Sequence, residues 1–354
     1  MPTVTDIFYK VMKMKKAIAV LISLMFVFLL YSCSKEPTPD ETTPPQASES
    51  VSETASETGT EEMKTELLTT TKKNDKNSSS KSNVLQAGSG SAVLQDGKTY
   101  TGREPLPCVE FKVTDPENTR NLSTEKKGYG FGVAKDGKPN QVSVNNQKYF
   151  DEHNFNALCL DTVSSEKVLY LTFDCGYENG YTAKILDTLK EKNVPAAFFC
   201  TLPQVKQYPE LISRMINEGH IVGNHSVKHP SFPSLTRTEM AQEIKGMDDY
   251  LRTNFGYSEP YFRFPMGEYS ESALDLVGSL GYKSVFWSLA YSDWDLNNQK
   301  GADYAFNTVT ARLHPGAVIL LHAVSPDNSN ALAQIIDYAR ENGYVFKSLR
   351  DYGN

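Results

Sequence analysis

From residue 168 to the C-terminus, short β-rich runs alternate with stretches of helical period, and this alternation restricts the fold more than any other feature of the chain. The β-rich runs span residues 168–173, 196–199, 220–223, 261–264, 284–289, 318–321 and 345–348. Between most of them apolar residues recur at helical spacing. Leu186 and Leu189 mark one helix, and Leu211, Ile212, Met215 and Ile216 the next. A longer helix opens on a capping box, Thr236 with Glu239, and runs on through Met240, Ile244, Met247 and Leu251. Leu274, Val277 and Leu280 form a further stripe, as do Leu332, Ile335 and Ile336. Gly219, Gly281 and Gly343 stand where helices should stop, because the left-handed cap position favours glycine. Such an alternation implies an α/β fold with a mostly parallel sheet, either closed as a barrel or open and doubly wound.

Polar residues fall at the ends of these runs. Asp174 follows the first, His225 the third and His322 the sixth, while Arg263 lies near the end of the fourth and Asp293 just beyond the fifth. In parallel α/β folds the C-terminal strand ends converge on one face, and active sites form there. His225 and His229 are four residues apart in the run His225-Ser226-Val227-Lys228-His229. With a strand-borne aspartate upstream, that pair points to metal-dependent hydrolysis. His220 and His314 read as structural histidines. Trp287 and Trp294 read equally well as core aromatics and as a platform for a sugar.

The ordered motifs Thr172-Phe173-Asp174, His225-Ser226-x-x-His229, Arg263-x-Pro265-x-Gly267, Asp293-Trp294 and Leu320-Leu321-His322 resemble those of the polysaccharide deacetylases, the NodB-homology family. The resemblance runs from about Lys167 to the C-terminus. It implies a distorted (β/α)7 barrel that removes N-acetyl groups from amino sugars with a divalent metal, zinc ahead of other ions. Carried over to this chain, Asp174 resembles the general base, His225 and His229 the metal ligands, and His322 the general acid. Arg263 resembles the residue that orients the base, and the backbone N–H of Met266 the donor to the oxyanion.

Two positions depart from the common family pattern. Where a second aspartate ligates the metal, this chain has Cys175. Three possibilities stay open, in this order: the metal has two histidine ligands and more water, Cys175 supplies a thiolate, or Cys175 forms a disulfide with Cys200. Ala290 stands where many members have an aspartate that tunes the catalytic histidine, leaving open whether Asp293 takes over that role. Both departures, together with Gly128-Tyr129-Gly130-Phe131-Gly132 and Asn298-Gln299-Lys300-Gly301, resemble the branch of muramic δ-lactam-forming peptidoglycan deacetylases. That branch implies N-acetylmuramic acid of spore-cortex glycan strands as substrate, after an amidase has removed the peptide. Two alternatives are a deacetylase of another polysaccharide (intact peptidoglycan, chitin or xylan) and a non-catalytic glycan-binding lipoprotein.

The first part of the chain reads differently. Lys13, Lys15 and Lys16 precede an apolar stretch over residues 17–31, roughly 15 residues against the ~20 that a membrane-spanning helix needs. It ends at Leu30-Tyr31-Ser32-Cys33, a small residue before cysteine, which resembles a lipoprotein signal with Cys33 as the lipidated residue. Export and a lipid anchor at the outer face of the cytoplasmic membrane follow as expectations. Residues 34–104 are rich in Ser, Thr, Glu, Lys and Pro, and bury too little apolar surface to offset ordering, which implies a disordered linker. Residues 105–166 are then an N-terminal elaboration, and 167–354 the deacetylase domain. A net charge of −7 without a basic cluster argues against nucleic-acid binding. Cys108 and Cys159 read as buried free thiols.

Overall fold

Strand β3 (Val168–Cys175) is buried along all eight of its residues, as a strand covered on both faces must be. The structure is a computed structural model that describes residues 101–353. The signal segment, Cys33 and residues 34–100 of the linker lie outside the described residues.

Ahead of β3 come the two-residue strand β1 (Lys127–Gly128), helix α1 (Gln141–Glu152) and strand β2 (Ala157–Leu158). After it the expected alternation appears: α2 (Thr182–Glu191), β4 (Ala196–Cys200), α3 (Leu202–Gln207), α4 (Pro209–Asn217) and β5 (Ile221–Asn224). Helix α5 (Arg237–Phe255) leads to β6 (Tyr261–Phe262), the short strand β7 (Glu268–Tyr269) and α6 (Glu271–Ser279). The chain then continues through β8 (Lys283–Val285), α7 (Ala302–Thr310), β9 (Ala317–His322), α8 (Pro326–Glu341) and β10 (Val345–Phe346).

The main sheet runs β10-β3-β4-β5-β6-β8-β2, with β9 also pairing β3, and every strand pairing in it is parallel. A parallel bridge from Leu289 to Ile319 joins the segment after β8 to β9 and brings the curl round on itself. This is the expected α/β barrel, short in its later strands. The predicted run 284–289 keeps only Lys283–Val285 as a strand.

Parity along the strands sorts their side chains into two cores. Leu171, Phe173, Phe198, Ile319 and Leu321 face the layer of helices, where they meet Leu186, Leu189, Ile212 and Ile336. Tyr170, Phe199, Val318 and Leu320 face the inside of the curl with Phe262, Phe264 and Phe286. Each such fully buried side chain contributes roughly 1.5–3 kcal/mol relative to exposure. The capping box forms as expected: Thr236 Oγ1 accepts from Glu239 N–H while Glu239 Oε2 accepts from Thr236 N–H at 2.8 Å.

Strands β1, β2 and β7 and helices α1, α3 and α7 were not visible in the sequence. Residues 105–166 do more than elaborate the domain, because β2 joins the main sheet beside β8. Helix α1 buries Ser143, Gln147 and Phe150, so its inward face is largely polar and leaves no apolar stripe. Gln147 explains this, since its Oε1 accepts from Cys159 N–H at 2.8 Å and its Nε2 donates to Ala157 O. Helix α7 hides only Ala305 and Val309. Among the described residues no helix is long and apolar enough to cross a membrane.

Candidate active site

The ends of β3 and β9 put Asp174 and His322 directly opposite each other in register. On the other side of β3, the pairing continues through Cys200 and Asn224 to Phe262, so His225 and Arg263 each follow a paired strand end. Two backbone bonds extend these ladders one residue further, from His225 N–H to Cys200 O and from Arg263 N–H to Asn224 O, both 3.0 Å. Thus the sheet itself brings four of the expected residues to one end of the curl.

Arg263 is fully buried, and every nitrogen of its guanidinium is engaged. Nη1 donates to Asp174 Oδ1 at 2.8 Å, Nη2 to Thr172 Oγ1 at 2.9 Å and Nε to Val285 O at 2.9 Å. The Phe199 ring covers its face, 4.1 Å from the guanidinium carbon. A buried charge is tolerated only when paired and hydrogen-bonded in this way. Burial by itself would push the Asp174 carboxyl up. The charge of Arg263, with His225 and His322 behind it, outweighs burial and holds the carboxyl below its usual range. Asp174 therefore stays ionised, with Oδ1 held and Oδ2 turned toward His225 Nε2 at 3.7 Å.

The two expected ligand histidines meet. His225 Nε2 and His229 Nε2 are 3.1 Å apart. His225 Nδ1 lies 2.8 Å from Arg263 O, and a carbonyl can only accept, so Nδ1 carries the proton and Nε2 keeps its lone pair. Burial pushes His225 down to about 4, and His229 also falls, again chiefly through burial. Two neutral imidazoles with nitrogens this close are stabilised by a shared cation, and this donor pair suits a divalent metal. Among the described residues no group of three His, Cys, Asp or Glu side chains could hold one by itself. Water or substrate must complete any coordination.

The loop carrying the pair is strained and pinned. Ser226 and His229 have φ of 71° and 58°, a left-handed conformation costly for side-chain-bearing residues. Ser226 Oγ accepts from His229 N–H at 2.8 Å, and Asn224 Oδ1 accepts from Ser226 N–H at 2.9 Å. From α5, Glu243 Oε2 accepts from the N–H groups of Val227 and Lys228 at 3.0 and 2.8 Å. Met266 also has positive φ, 57°, and lies in the lining of the cleft. Gly267 follows at φ 65°, where an added Cβ would come within 3.0 Å of the Trp287 ring. Strain gathered at a cleft is characteristic of functional sites.

His322 is held from the side opposite Asp174. Its Nδ1 lies 2.7 Å from Asp293 Oδ1, and its backbone N–H donates to Asp293 Oδ2 at 2.8 Å. Asn328 Nδ2 also donates to Asp293 Oδ2. Burial disfavours the charged ring, but the bond to Asp293 and its charge prevail, so His322 titrates above its ordinary 6.5. Asp293 thereby partners the histidine, as the sequence had left open.

Cys175 is not in the site. Strand parity turns it to the helix-facing side with Leu171 and Phe173, fully buried, opposite Cys200. Its bond with the Cys200 thiol and its burial push its pKa well above the ordinary thiol value, and its direction, among the helix-facing side chains, removes it from the ligand set. Both cysteines are free thiols, so the disulfide is not formed either. Cys159 is buried as expected, whereas Cys108 is exposed. His220 and His314 are buried and hydrogen-bonded, His220 Nδ1 accepting from Ala196 N–H and His314 Nε2 pairing with Ser288 Oγ.

A cleft of about 1200 Å³ opens over Asp174, His225, His229 and His322. Trp287 is buried against Tyr129 and the Arg263 guanidinium, although its Nε1 has no partner among the described residues. Trp294 is 58% exposed in the cleft, the better position for a sugar platform. Thr172, Ser226, Glu243 and Asn328, which hold the site together, were not singled out from the sequence. Only Thr172 and Ser226 lay within recognisable motifs; Glu243 and Asn328 sit on helices and left no local signal.

At one end of the curl, then, a carboxylate held by arginine, an imidazole held by aspartate and a pair of further imidazoles share one cleft, a set of groups suited to hydrolysis. Comparison with known proteins agrees. The sequence profile described as polysaccharide deacetylase matches residues 161–285. The peptidoglycan-N-acetylmuramic acid deacetylase PdaA of Bacillus subtilis is 46% identical over 189 residues, which span 53% of this chain and 72% of that protein. An uncharacterized 30.6 kDa protein of Geobacillus stearothermophilus is 47% identical over 188 residues, 53% of this chain and 71% of that one. The solved structure of Bacillus subtilis PdaA, a family 4 carbohydrate esterase, matches with a TM-score of 0.62 at 40% identity, covering 65% of this chain and 98% of that one. A family 4 carbohydrate esterase from Bacillus anthracis gives 0.54 at 39% identity, covering 65% and 97%. The chain belongs to the polysaccharide deacetylase family, carbohydrate de-N-acetylases that depend in general on a divalent metal.

Proposed function

We propose that this enzyme removes the N-acetyl group from N-acetylmuramic acid in peptidoglycan whose peptide an amidase has already cut away, leading to muramic δ-lactam in spore cortex. The observation that carries the chemistry is the pair of imidazoles, 3.1 Å apart, in one cleft with the carboxylate of the Arg263–Asp174 pair and the ring of the Asp293–His322 pair. The substrate is supported by the similarity to Bacillus subtilis PdaA and by Cys175 and Ala290, which stand where that branch also departs from the family.

A divalent metal held by His225 and His229, zinc first, would lower the pKa of a water and polarise the acetyl carbonyl. Asp174 Oδ2 takes the proton of the attacking water while Arg263 keeps Oδ1 still and the carboxylate ionised. The N–H of Met266 donates to the carbonyl oxygen as negative charge gathers there. His322, its Nδ1 on Asp293, delivers the Nε2 proton to the sugar nitrogen as the C–N bond breaks, releasing acetate and an amine. That amine can then attack the lactyl carboxyl of the same sugar with loss of water, a closure favoured by proximity. A non-catalytic glycan binder is opposed by a base and an acid that both keep their partners. Export and anchoring through Cys33 belong to the same proposal and rest on residues 13–33 of the sequence.

Mass spectrometry of muropeptides after incubation with amidase-treated cortex tests the substrate. Loss of one acetyl group from peptide-free muramic residues is expected, followed by loss of water where the lactam closes. Deacetylation confined to glucosamine, or to muramic residues still bearing peptide, would overturn it.

A further inference from the structure

Removing the peptide from muramic acid leaves a free carboxylate on the lactyl group, next to the N-acetyl group that reacts. The cleft contains cations suited to it. Arg312 lines the cleft half-buried, and Lys300 and Lys228 are exposed in the same lining. Arg312 Nη1 donates to Ala290 O at 2.7 Å. Ala290 follows Leu289, which bridges Ile319 of β9, so this bond fixes the guanidinium a few residues along the sheet from His322. Among the described residues Arg312 forms no ion pair, and its Nε and Nη2 have no acceptor. Those two atoms form the edge that grips a carboxylate bidentately. An arginine held by one corner, with its carboxylate-binding edge unengaged, is arranged to receive an anion. Lys300, its Nζ 4.7 Å from the Tyr304 ring centroid, adds a second cation.

Resting on the substrate proposed above, the geometry points to Arg312 as the residue that selects peptide-free muramic acid by binding its lactyl carboxylate. With the peptide still attached, that carboxylate is an amide, which cannot form the charge-assisted fork and brings the bulk of the stem. Selection against intact peptidoglycan then follows from one missing charge near the reacting bond. The same grip holds the carboxyl beside the new amine.

The test uses zinc-loaded protein and two probes, a peptide-free muramic tetrasaccharide and its carboxamide, with binding measured by calorimetry and acetate release followed in parallel. Wild type should prefer the acid roughly tenfold to hundredfold, the range of a charged hydrogen bond. In Arg312→Ala and Arg312→Gln the acid-to-amide ratio should fall toward one, with the thermal midpoint monitoring the fold. Arg312→Lys should retain part of the preference. An undiminished ratio in the correctly folded variants would overturn the role of Arg312, as would equal binding of acid and amide by wild type. If wild type releases acetate from neither muramic probe but does so from an N-acetylglucosamine oligomer, the substrate proposal itself falls, and this inference with it.

Discussion

Arg263 engages each of its three guanidinium nitrogens inside the protein, with the Asp174 carboxylate, a strand threonine and a backbone carbonyl, so its removal should be felt in both stability and rate. Arg263→Ala leaves Asp174 as a buried unpaired charge. It should lower stability by about 3–5 kcal/mol, the usual penalty for breaking a buried pair, together with near-complete loss of acetate release. Chemical denaturation and an acetate assay check both, and a stable, active variant would contradict the assigned geometry. His322 supplies a second prediction. Since Asp293 raises its pKa, its acid form persists above pH 6.5, and the rate should fall only as pH rises through that higher value. Asp293→Asn removes the raising charge, so the alkaline limb of the kcat/KM profile should move to lower pH. Cys175→Ala should leave zinc stoichiometry and rate close to wild type, because the thiol faces the helices. Loss of bound zinc in that variant would return the thiolate to the site. These residues differ in how legible they were. Asp174, His225, His229, Arg263 and His322 could be read from their motifs and strand-end positions. The direction of Cys175 depended on β3 keeping regular pleat through its last residue, which no local pattern reveals.

At the scale of elements, the site depends on a helix that contributes no reactive group. Helix α5 sends Glu243 to cap the N–H groups of Val227 and Lys228, holding the strained loop between the two histidines. Glu243→Gln weakens these bonds by removing the carboxylate charge. Metal affinity should drop roughly 10- to 100-fold, as for other groups that support metal ligands. Competition with a chromogenic chelator measures this, and unchanged affinity would show that the loop holds itself. The apolar stripe of α5 was plain in the sequence, with its capping box. Its tie to residues 227 and 228 was not, because it depends on how α5 packs beside the loop. Strand β2 and helix α1 were missed for a related reason. A two-residue strand has no period to detect, and a helix whose inward face is Ser143, Gln147 and Phe150 shows no apolar stripe.

For the molecule as a whole, the parallel sheet turns a set of residues scattered from 174 to 322 into one cleft. The fold was legible because seven strand-like runs and most of the helices between them kept their own period. How the curl comes round was not, since it rests on isolated bridges, Leu289 to Ile319 and Leu160 to Ala317, and not on a paired strand. The most direct test of the central claim is acetate release from amidase-treated cortex peptidoglycan, by zinc-loaded wild type and Asp174→Asn side by side. Wild type should release acetate in proportion to the peptide-free muramic residues, and Asp174→Asn almost none. No acetate from wild type, or equal release by the two proteins, would contradict the account.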